Sequence, residues 1–188
     1  MDADDLMIGN RLTEQIDYLK NNKDVGAVCS GMQLIDEYGI PLSQSTGTSD
    51  IEKSKLMHLF LNMYTHATMT AIRDVFVNFK YKKKFYYCED YELWSRVIQR
   101  YKIKHLQDIH HIYRIYKKSL KVNTKNNGIE FLMTIFSNHL DYYKIIHNEH
   151  QLLIHYGVFY EKNQIGTSEE IKNWLNKVFT SKHLHQTS

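Results

Sequence analysis

The sequence YYCEDYELWSR, at residues 86–96, places two adjacent carboxylates just ahead of an apolar stripe. The stripe residues are spaced like one face of a helix: Leu93, Trp94, Val97 and Ile98. This spacing predicts a helix over Tyr91–Arg100, with Asp90 as the N-cap that accepts backbone N–H groups of the first turn. The helix dipole would keep that carboxylate ionised and fixed in direction, as a general base requires. Most acidic residues at such a position only cap the helix, so the choice between a cap and a general base depends on the flanking sequence.

Helical and strand-like segments alternate on both sides of this stretch. The predicted helices are Leu12–Asn21, Lys53–Leu61 and Arg73–Phe79. The predicted strands are Val25–Cys29 with its extension to Ile35, His66–Ile72, Ile103–Leu106 and Ile109–Tyr113. Pro41–Ser49 has no periodicity and is predicted to be a loop. The alternation predicts an α/β layer structure.

From Gly128 onward the pattern becomes helical. One or two helices are predicted over residues 131–146, then Leu152–Tyr160 and Glu169–Phe179, the last starting near Ser168. We therefore predict an α/β part over residues 1–122 and an α-helical extension over residues 123–188. His147 and His150 could share a helical face in this extension, but their spacing matches no strong zinc motif.

Composition describes a folded globular protein. Of 188 residues, 43% are hydrophobic and 13% aromatic, which argues against a disordered chain. The net charge is only +3, so the lysine clusters at Lys80–Lys84 and Lys117–Lys118 make a weak case for nucleic-acid binding, and we expect none. Two cysteines form no disulfide framework, and no apolar run approaches the length of a membrane span. We expect a cytoplasmic protein, with docking on the inner face of the membrane left open.

The chain starts with a dense acidic stretch, Met1-Asp2-Ala3-Asp4-Asp5. Three carboxylates within four positions repel one another, and a hard divalent cation among them would relieve that repulsion. A solvated terminal tail can carry the same composition without any ligand. The stretch alone does not distinguish these alternatives.

Taken in order, these landmarks resemble the second half of the catalytic domain of glycosyltransferase family 2, enzymes of the GT-A fold that use nucleotide-sugar donors. The resemblance covers about residues 1–122 and rests on four marks. They are the acidic stretch with the following helix Asn10–Gln15, the strand Val25–Val28, the strand His66–Met69, and the helix start Cys88–Arg96. The resemblance implies an incomplete GT-A, Rossmann-like sheet with flanking helices.

The resemblance also implies a division of roles. Asp2 would contact the ribose side of the nucleotide, and Asp4 would hold a Mn²⁺ or Mg²⁺ ion that bridges the diphosphate. Asp90 would take the proton from an acceptor hydroxyl as it attacks the anomeric carbon, in a single displacement with inversion. The acceptor-side residues would be His66, Glu89, Trp94 and Arg114. The partners would be a nucleotide-diphosphate sugar donor and a glycan or lipid-linked acceptor, in glycan or polysaccharide biosynthesis.

The chain departs from the family pattern at three places. Ala67 replaces a proline, and Tyr116 stands where the family often has a histidine, for which His110 and His111 are the nearby substitutes. The nucleotide-binding half that precedes the acidic stretch in the family has no counterpart here. We expect a fragment of a longer enzyme, a partner chain or oligomer that covers the exposed sheet edge, or a non-catalytic remnant that binds a glycan or a partner.

The aromatic residues of the central stretch have two interpretations. Tyr86, Tyr87, Tyr91 and Trp94 would either stack on acceptor sugars or form the core and the groove wall.

Overall fold

The computed structural model describes residues 3–116, 128–161 and 163–184. Within these residues the chain forms one mixed sheet of five strands, flanked by helices and followed by a helical C-terminal part. The strands are β1 (Leu6–Met7), β2 (Val25–Ile35), β3 (Pro41–Ser45), β4 (Thr70–Ala71) and β5 (Lys102–Arg114). The predicted α/β class is confirmed.

The long strands β2 and β5 are the centre of the sheet. They run parallel, from a pair at Val25 and Lys102 to a pair at Ile35 and Arg114, so their carboxyl ends lie side by side. The short strand β1 pairs antiparallel with β5, and both β3 and β4 pair antiparallel with β2. The two segments Ile103–Leu106 and Ile109–Tyr113 predicted separately are thus one continuous strand.

Seven α-helices lie within the described residues. They are α1 (Arg11–Asn21), α2 (Ile51–Met57), α3 (Arg73–Asn78), α4 (Glu89–Val97), α5 (Gly128–Tyr142), α6 (Glu149–Tyr160) and α7 (Ser168–Phe179). The stripe predicted on α4 is fully or almost fully buried and packs against the sheet residues Ala27, Cys29 and Ile103. This packing of an apolar helix face on a parallel strand pair is what gives the domain its core.

Asp90 is not the N-cap of α4, which corrects the sequence prediction. The N-cap is Cys88, whose carbonyl accepts the Glu92 N–H at 3.0 Å, and the helix begins at Glu89. Cys88 and Phe85 are buried against the C-terminal helices. Because of this burial, α4 starts two residues earlier than the acidic pattern predicted. Asp90 is therefore the second helical residue, still in the first turn.

Two other segments differ from prediction. The first half of the predicted loop Pro41–Ser49 is strand β3, whose residues are all exposed, so neither face leaves an apolar pattern in the sequence. A turn at Asp36 places it against β2: the Asp36 carboxylate accepts the N–H groups of Tyr38 and Ile40, and Gly39 adopts a φ of 88°.

The segment His66–Ile72 is not a continuous strand either. His66–Thr68 forms a 3₁₀ turn and only Thr70–Ala71 pairs with β2. The Thr68 hydroxyl donates to the Thr65 carbonyl at 2.9 Å and accepts the Ser30 N–H at 3.1 Å, so a side chain replaces the ladder hydrogen bonds here.

The helical C-terminal part packs directly on the α/β part. Leu59 and Phe60, which follow α2, lie in one buried cluster with residues of α5, α6 and α7 such as Leu140, Ile154 and Trp174. Asn148 and Thr167 form capping boxes at the starts of α6 and α7, so the helix starts predicted near Leu152 and Ser168 lie close to the observed ones. No helix in the described ranges is both long and apolar enough to cross a membrane.

Candidate active site

An open pocket of about 330 Å³ lies near the carboxyl ends of β2 and β5. Met32 and Tyr113 contribute to it from the two strands, and the segment 62–67 and Asp90 close the other side. Ligands of open α/β sheets bind beyond the carboxyl ends of parallel strands, where this pocket lies. It brings together Asp90 and His66, two of the residues singled out in the sequence.

Asp90 reaches the pocket from the first turn of α4 and is only partly buried. Its Oδ2 accepts the Asn62 side-chain amide at 2.9 Å, and its Oδ1 accepts the backbone N–H of Tyr91 at 2.7 Å. Each carboxylate oxygen offers two lone-pair sites, so sites remain for a further donor. The carboxylate is held in direction and still open to a hydroxyl group.

His66 is held between two aromatic residues at the same pocket. Its Nδ1 accepts the Trp94 indole N–H at 3.3 Å, and its Nε2 lies 3.2 Å from the Tyr81 hydroxyl. Because an indole can only donate, Nδ1 must be unprotonated, so the neutral ring carries its proton on Nε2. Trp94 is fully buried and does not line the pocket; it contacts His66 from the protein interior. Burial, together with the Asp90 and Glu89 carboxylates, raises the pKa of Tyr81.

The motif on α4 contains an ion pair that the sequence analysis missed. Glu92 is buried, and its two carboxylate oxygens accept from Nε and Nη2 of Arg96 at 2.7 and 2.8 Å. Lys82 Nζ lies 2.7 Å from the same carboxylate. The i, i+4 spacing of Glu92 and Arg96 was the signal that could have revealed this bidentate pair.

The acidic stretch is anchored to the end of β5. Asp5 is buried: its Oδ2 lies 3.1 Å from His111 Nε2, and its Oδ1 accepts the backbone N–H of Arg114 at 3.1 Å. The Arg114 side chain donates to the carbonyls of Asp4 and Asp36, both at 3.3 Å. Arg114 thus ties the acidic stretch to the turn after β2, next to Tyr113 of the pocket. Asp2 lies outside the described residues.

The remaining candidates lie apart from the pocket lining. Glu89 is exposed at the start of α4, and His110 pairs with Glu14 at 2.9 Å. Burial lowers the pKa of His111 although Asp5 opposes this.

Of the aromatic residues, Tyr91 and Trp94 are core, as one interpretation predicted, whereas Tyr86 and Tyr87 are about 65% exposed with ring centroids 4.1 Å apart.

The residues of the acidic stretch suit a magnesium or manganese ion bound jointly with a substrate. Asp4 presents an exposed carboxylate, whereas Asp5 is turned inward. No group of three or more metal-binding side chains occurs within the parts of the chain that the structure describes. His147 and His150 are among these described residues and belong to no such group. Mg²⁺ is usually held by one or two carboxylates together with substrate phosphates, so the donor set fits such an ion.

A buried glutamine links α1 to the turn that carries His66. Gln15 of α1 donates from Nε2 to the Thr68 carbonyl at 2.8 Å, and its Oε1 accepts the Thr70 hydroxyl at 2.6 Å. The side chain is fully buried, so both bonds replace water. Through this residue α1 fixes the 3₁₀ turn that carries His66.

Comparison with known proteins finds three relatives. The chain is 30% identical over 117 residues to an uncharacterized glycosyltransferase of Methanocaldococcus jannaschii, a match that covers 61% of this chain and 40% of that protein. It is 34% identical over 108 residues to an uncharacterized glycosyltransferase of Haemophilus influenzae (52% of this chain, 33% of that protein). The chain is similar to glycosyltransferases.

A third relative carries a more specific name. The O-antigen biosynthesis glycosyltransferase WbnJ of Escherichia coli is 30% identical over 127 residues, which cover 63% of this chain and 47% of that protein. No family model matches the chain. The chain spans less than half the length of each of these relatives.

Proposed function

We propose that this chain is the metal- and acceptor-side part of a family 2, GT-A glycosyltransferase, which moves a sugar from a nucleotide diphosphate to an acceptor hydroxyl with inversion. The observation that carries the proposal is the Asp90 carboxylate, oriented by Asn62 at a pocket beyond two parallel strands. The similarity to glycosyltransferases supplies the reaction class. The proposed acceptor is a glycan or a lipid-linked glycan.

Asp90 is the general base in this mechanism. An acceptor hydroxyl in the pocket donates to a free lone pair of Asp90 and transfers its proton there as its oxygen bonds to the anomeric carbon. The bond from that carbon to the diphosphate breaks in the same displacement, so no covalent intermediate forms on the chain. His66 and Tyr113 line the pocket and position the acceptor.

Asp4 is the proposed metal ligand and Asp2 the proposed ribose contact. A bound Mn²⁺ or Mg²⁺ would neutralise charge on the departing diphosphate. On the protein side, Asp5 and Arg114 anchor the backbone at Asp4, and the Asp4 side chain is exposed. Glu89 and Trp94 act indirectly: Glu89 lies beside Asp90 in the first turn, and Trp94 orients His66.

The experiment that tests this function uses the protein at its native length. It is incubated with a panel of nucleotide sugars, a panel of glycan acceptors and Mn²⁺, and the acceptor-dependent release of nucleoside diphosphate is measured. Asp4→Ala is expected to lower metal-dependent release at least about a hundredfold, because the carboxylate that binds the ion is lost. Asp17→Ala, at an exposed site on α1, is the matched control.

The outcome separates an enzyme from a glycan-binding protein. If the native-length protein unfolds cooperatively on heating yet neither binds nor cleaves any donor with Mn²⁺, the enzymatic proposal is wrong. Retained binding of glycans under those conditions would identify the non-catalytic alternative.

We also propose that the segment before Asp90 touches an anionic membrane surface on the cytoplasmic side. Seven of the eight residues Lys80–Tyr87 are exposed, four of them lysines, and Phe85 alone is buried. Tyr86 and Tyr87 project beside these lysines, and Tyr87 holds a φ of 71°, which is unfavourable for a residue with a side chain. Tyrosine and lysine together are typical of interfacial surfaces.

A vesicle experiment with this chain checks the membrane contact. Binding to vesicles of phosphatidylcholine with phosphatidylglycerol is expected, with little binding to phosphatidylcholine alone. The double substitution Lys83→Gln and Lys84→Gln should weaken it about thirtyfold, since each lysine contributes about 1 kcal/mol near an anionic surface. Lys172→Gln with Lys182→Gln is the charge-matched control, and equal weakening by both pairs would contradict the assignment to this segment.

A further inference from the structure

Asn62 has one side-chain orientation that satisfies its neighbours. The backbone N–H of Tyr64 points to Asn62 Oδ1 at 3.3 Å, and an N–H group can only donate. The amide nitrogen must therefore face the other way, where it donates to Asp90 Oδ2 at 2.9 Å. Asn62 is a fixed donor to the carboxylate that the proposed mechanism uses as the base.

Asn62 lies in a connecting segment, residues 58–64, that belongs to no helix or strand. The segment is held at its start by α4: the buried Tyr91 hydroxyl donates to the His58 carbonyl at 2.9 Å. His58 in turn accepts the Met63 N–H on its Nδ1 at 3.1 Å, which closes the segment around Asn62. The conformation that presents Asn62 thus depends on contacts made by its neighbours.

The second anchor comes from the C-terminal helices. His155 of α6 lies with its Nε2 2.8 Å from the Leu59 carbonyl, and its Nδ1 accepts the Trp174 indole N–H of α7 at 3.2 Å. Since an indole only donates, His155 carries its proton on Nε2 and donates it to Leu59. Phe60 stacks on the same imidazole with ring centroids 4.1 Å apart. All of these side chains are buried.

We infer that Asn62 is a positioning residue for the Asp90 carboxylate, and that the C-terminal helices fix it in place through the Trp174–His155–Leu59 hydrogen bonds. This inference rests on the proposed function of Asp90. It gives the helical extension a part in the active site. Without the Asn62 amide, Asp90 loses the donor that directs its carboxylate toward the pocket.

The first test is kinetic and uses the native-length protein. Asn62→Leu keeps the approximate size of the side chain and removes its polar atoms without adding charge beside Asp90, and Asn62→Ala removes the whole amide. Both are expected to lower kcat about 10–100-fold while KM for the donor changes less than about twofold, because the misplaced group acts in the transfer step. Asn173→Ala, at an exposed asparagine of α7, should leave kcat unchanged.

The second test concerns the helical anchor and has a readout besides activity. Trp174→Phe keeps an aromatic ring and removes the indole N–H. It should accelerate amide hydrogen exchange in residues 58–64 and lower kcat in the native-length protein. Val178→Ala is the matched control: Val178 is fully buried in the same cluster but bonds to neither His155 nor Leu59. It should destabilise the fold without raising exchange selectively in that segment.

The outcomes distinguish the positioning role of Asn62 from the proposed function of Asp90. If Asp90→Asn abolishes transfer but both Asn62 variants keep wild-type kcat, the positioning role is wrong and the proposed function stands. Equal exchange rates in the Trp174→Phe and Val178→Ala proteins would overturn the anchoring role of the helices. If Asp90→Asn retains full transfer, the proposed base itself is wrong.

Discussion

Replacing Asp90 with asparagine is expected to lower the transfer rate of the native-length protein about 10²–10⁴-fold, the contribution of a general base. The amide is nearly isosteric with the carboxylate, and its one oxygen can still accept the Asn62 hydrogen bond, so only the bond from the Tyr91 N–H is lost and the fold should not change. The donor contacts proposed for Asp2 and Asp4 lie on another segment. Affinity for the nucleotide diphosphate with Mn²⁺ should therefore remain within about twofold of wild type.

The measurement combines steady-state kinetics with calorimetric binding of the nucleoside diphosphate. Asp74→Asn is the matched control, because Asp74 is an exposed aspartate in the first turn of another helix, α3. A rate loss in both variants would indicate a general effect of charge. Normal transfer in the Asp90→Asn protein would remove Asp90 from the mechanism.

Stability is expected to fall steeply as the pH drops from about 6.5 toward 4. Three fully or almost fully buried histidines, His58, His139 and His155, lie among the C-terminal helices and α2. Burial lowers the pKa of His58, that of His139 to about 3 and that of His155 to about 4. In the unfolded chain each imidazole titrates near 6.5.

The sign of the effect follows from proton counts. Below pH 6.5 these histidines bind protons in the unfolded chain but stay neutral in the folded chain. The free energy of unfolding therefore decreases as the pH falls. Each buried imidazole contributes about 1.4 kcal/mol per pH unit, so the three together remove about 6 kcal/mol by pH 5. That is comparable to the whole stability of a typical domain. Urea denaturation followed by tryptophan fluorescence between pH 7 and 5 measures it.

One variant isolates the source of this acid sensitivity. Neither ring nitrogen of His139 has a partner among the described residues. His139→Phe should therefore leave stability at pH 7 unchanged or increase it, and should reduce the slope with pH by about one third. His150→Gln, at an exposed histidine that pairs with Glu170, should leave the slope unchanged. A flat stability curve in the wild-type chain would contradict the prediction.

The parts of the fold that were predictable are those with a one-sided apolar pattern. The face of α4 carrying Leu93 and Val97 is buried as its spacing predicted, and the apolar run at Val25 became the central strand. Strand β3 was missed because all of its residues are exposed, so nothing in its composition distinguishes it from a loop. The N-cap of α4 was misplaced because the burial of Cys88 depends on helices distant in sequence.

The site was predictable only in its residue types. Asp90 and His66 stand in recognisable motifs, and the structure places both at one pocket. Asn62 and His155 stand in no motif, since their importance comes from contacts across 28 and 96 positions of the chain. Asp5 looked equivalent to its acidic neighbours, and only the buried His111 beside it reveals that it serves the fold.

The anchoring of residues 58–64 by Trp174 sets an order of events during synthesis. The segment that presents Asn62 leaves the ribosome more than a hundred residues before the indole that completes its support. At the usual elongation rate this delay lasts about 5–20 seconds. A nascent chain therefore has its pocket residues long before it has its pocket geometry. A protein cut short before α7 would keep the sequence motifs but lack the Trp174 hydrogen bond that helps to orient its base.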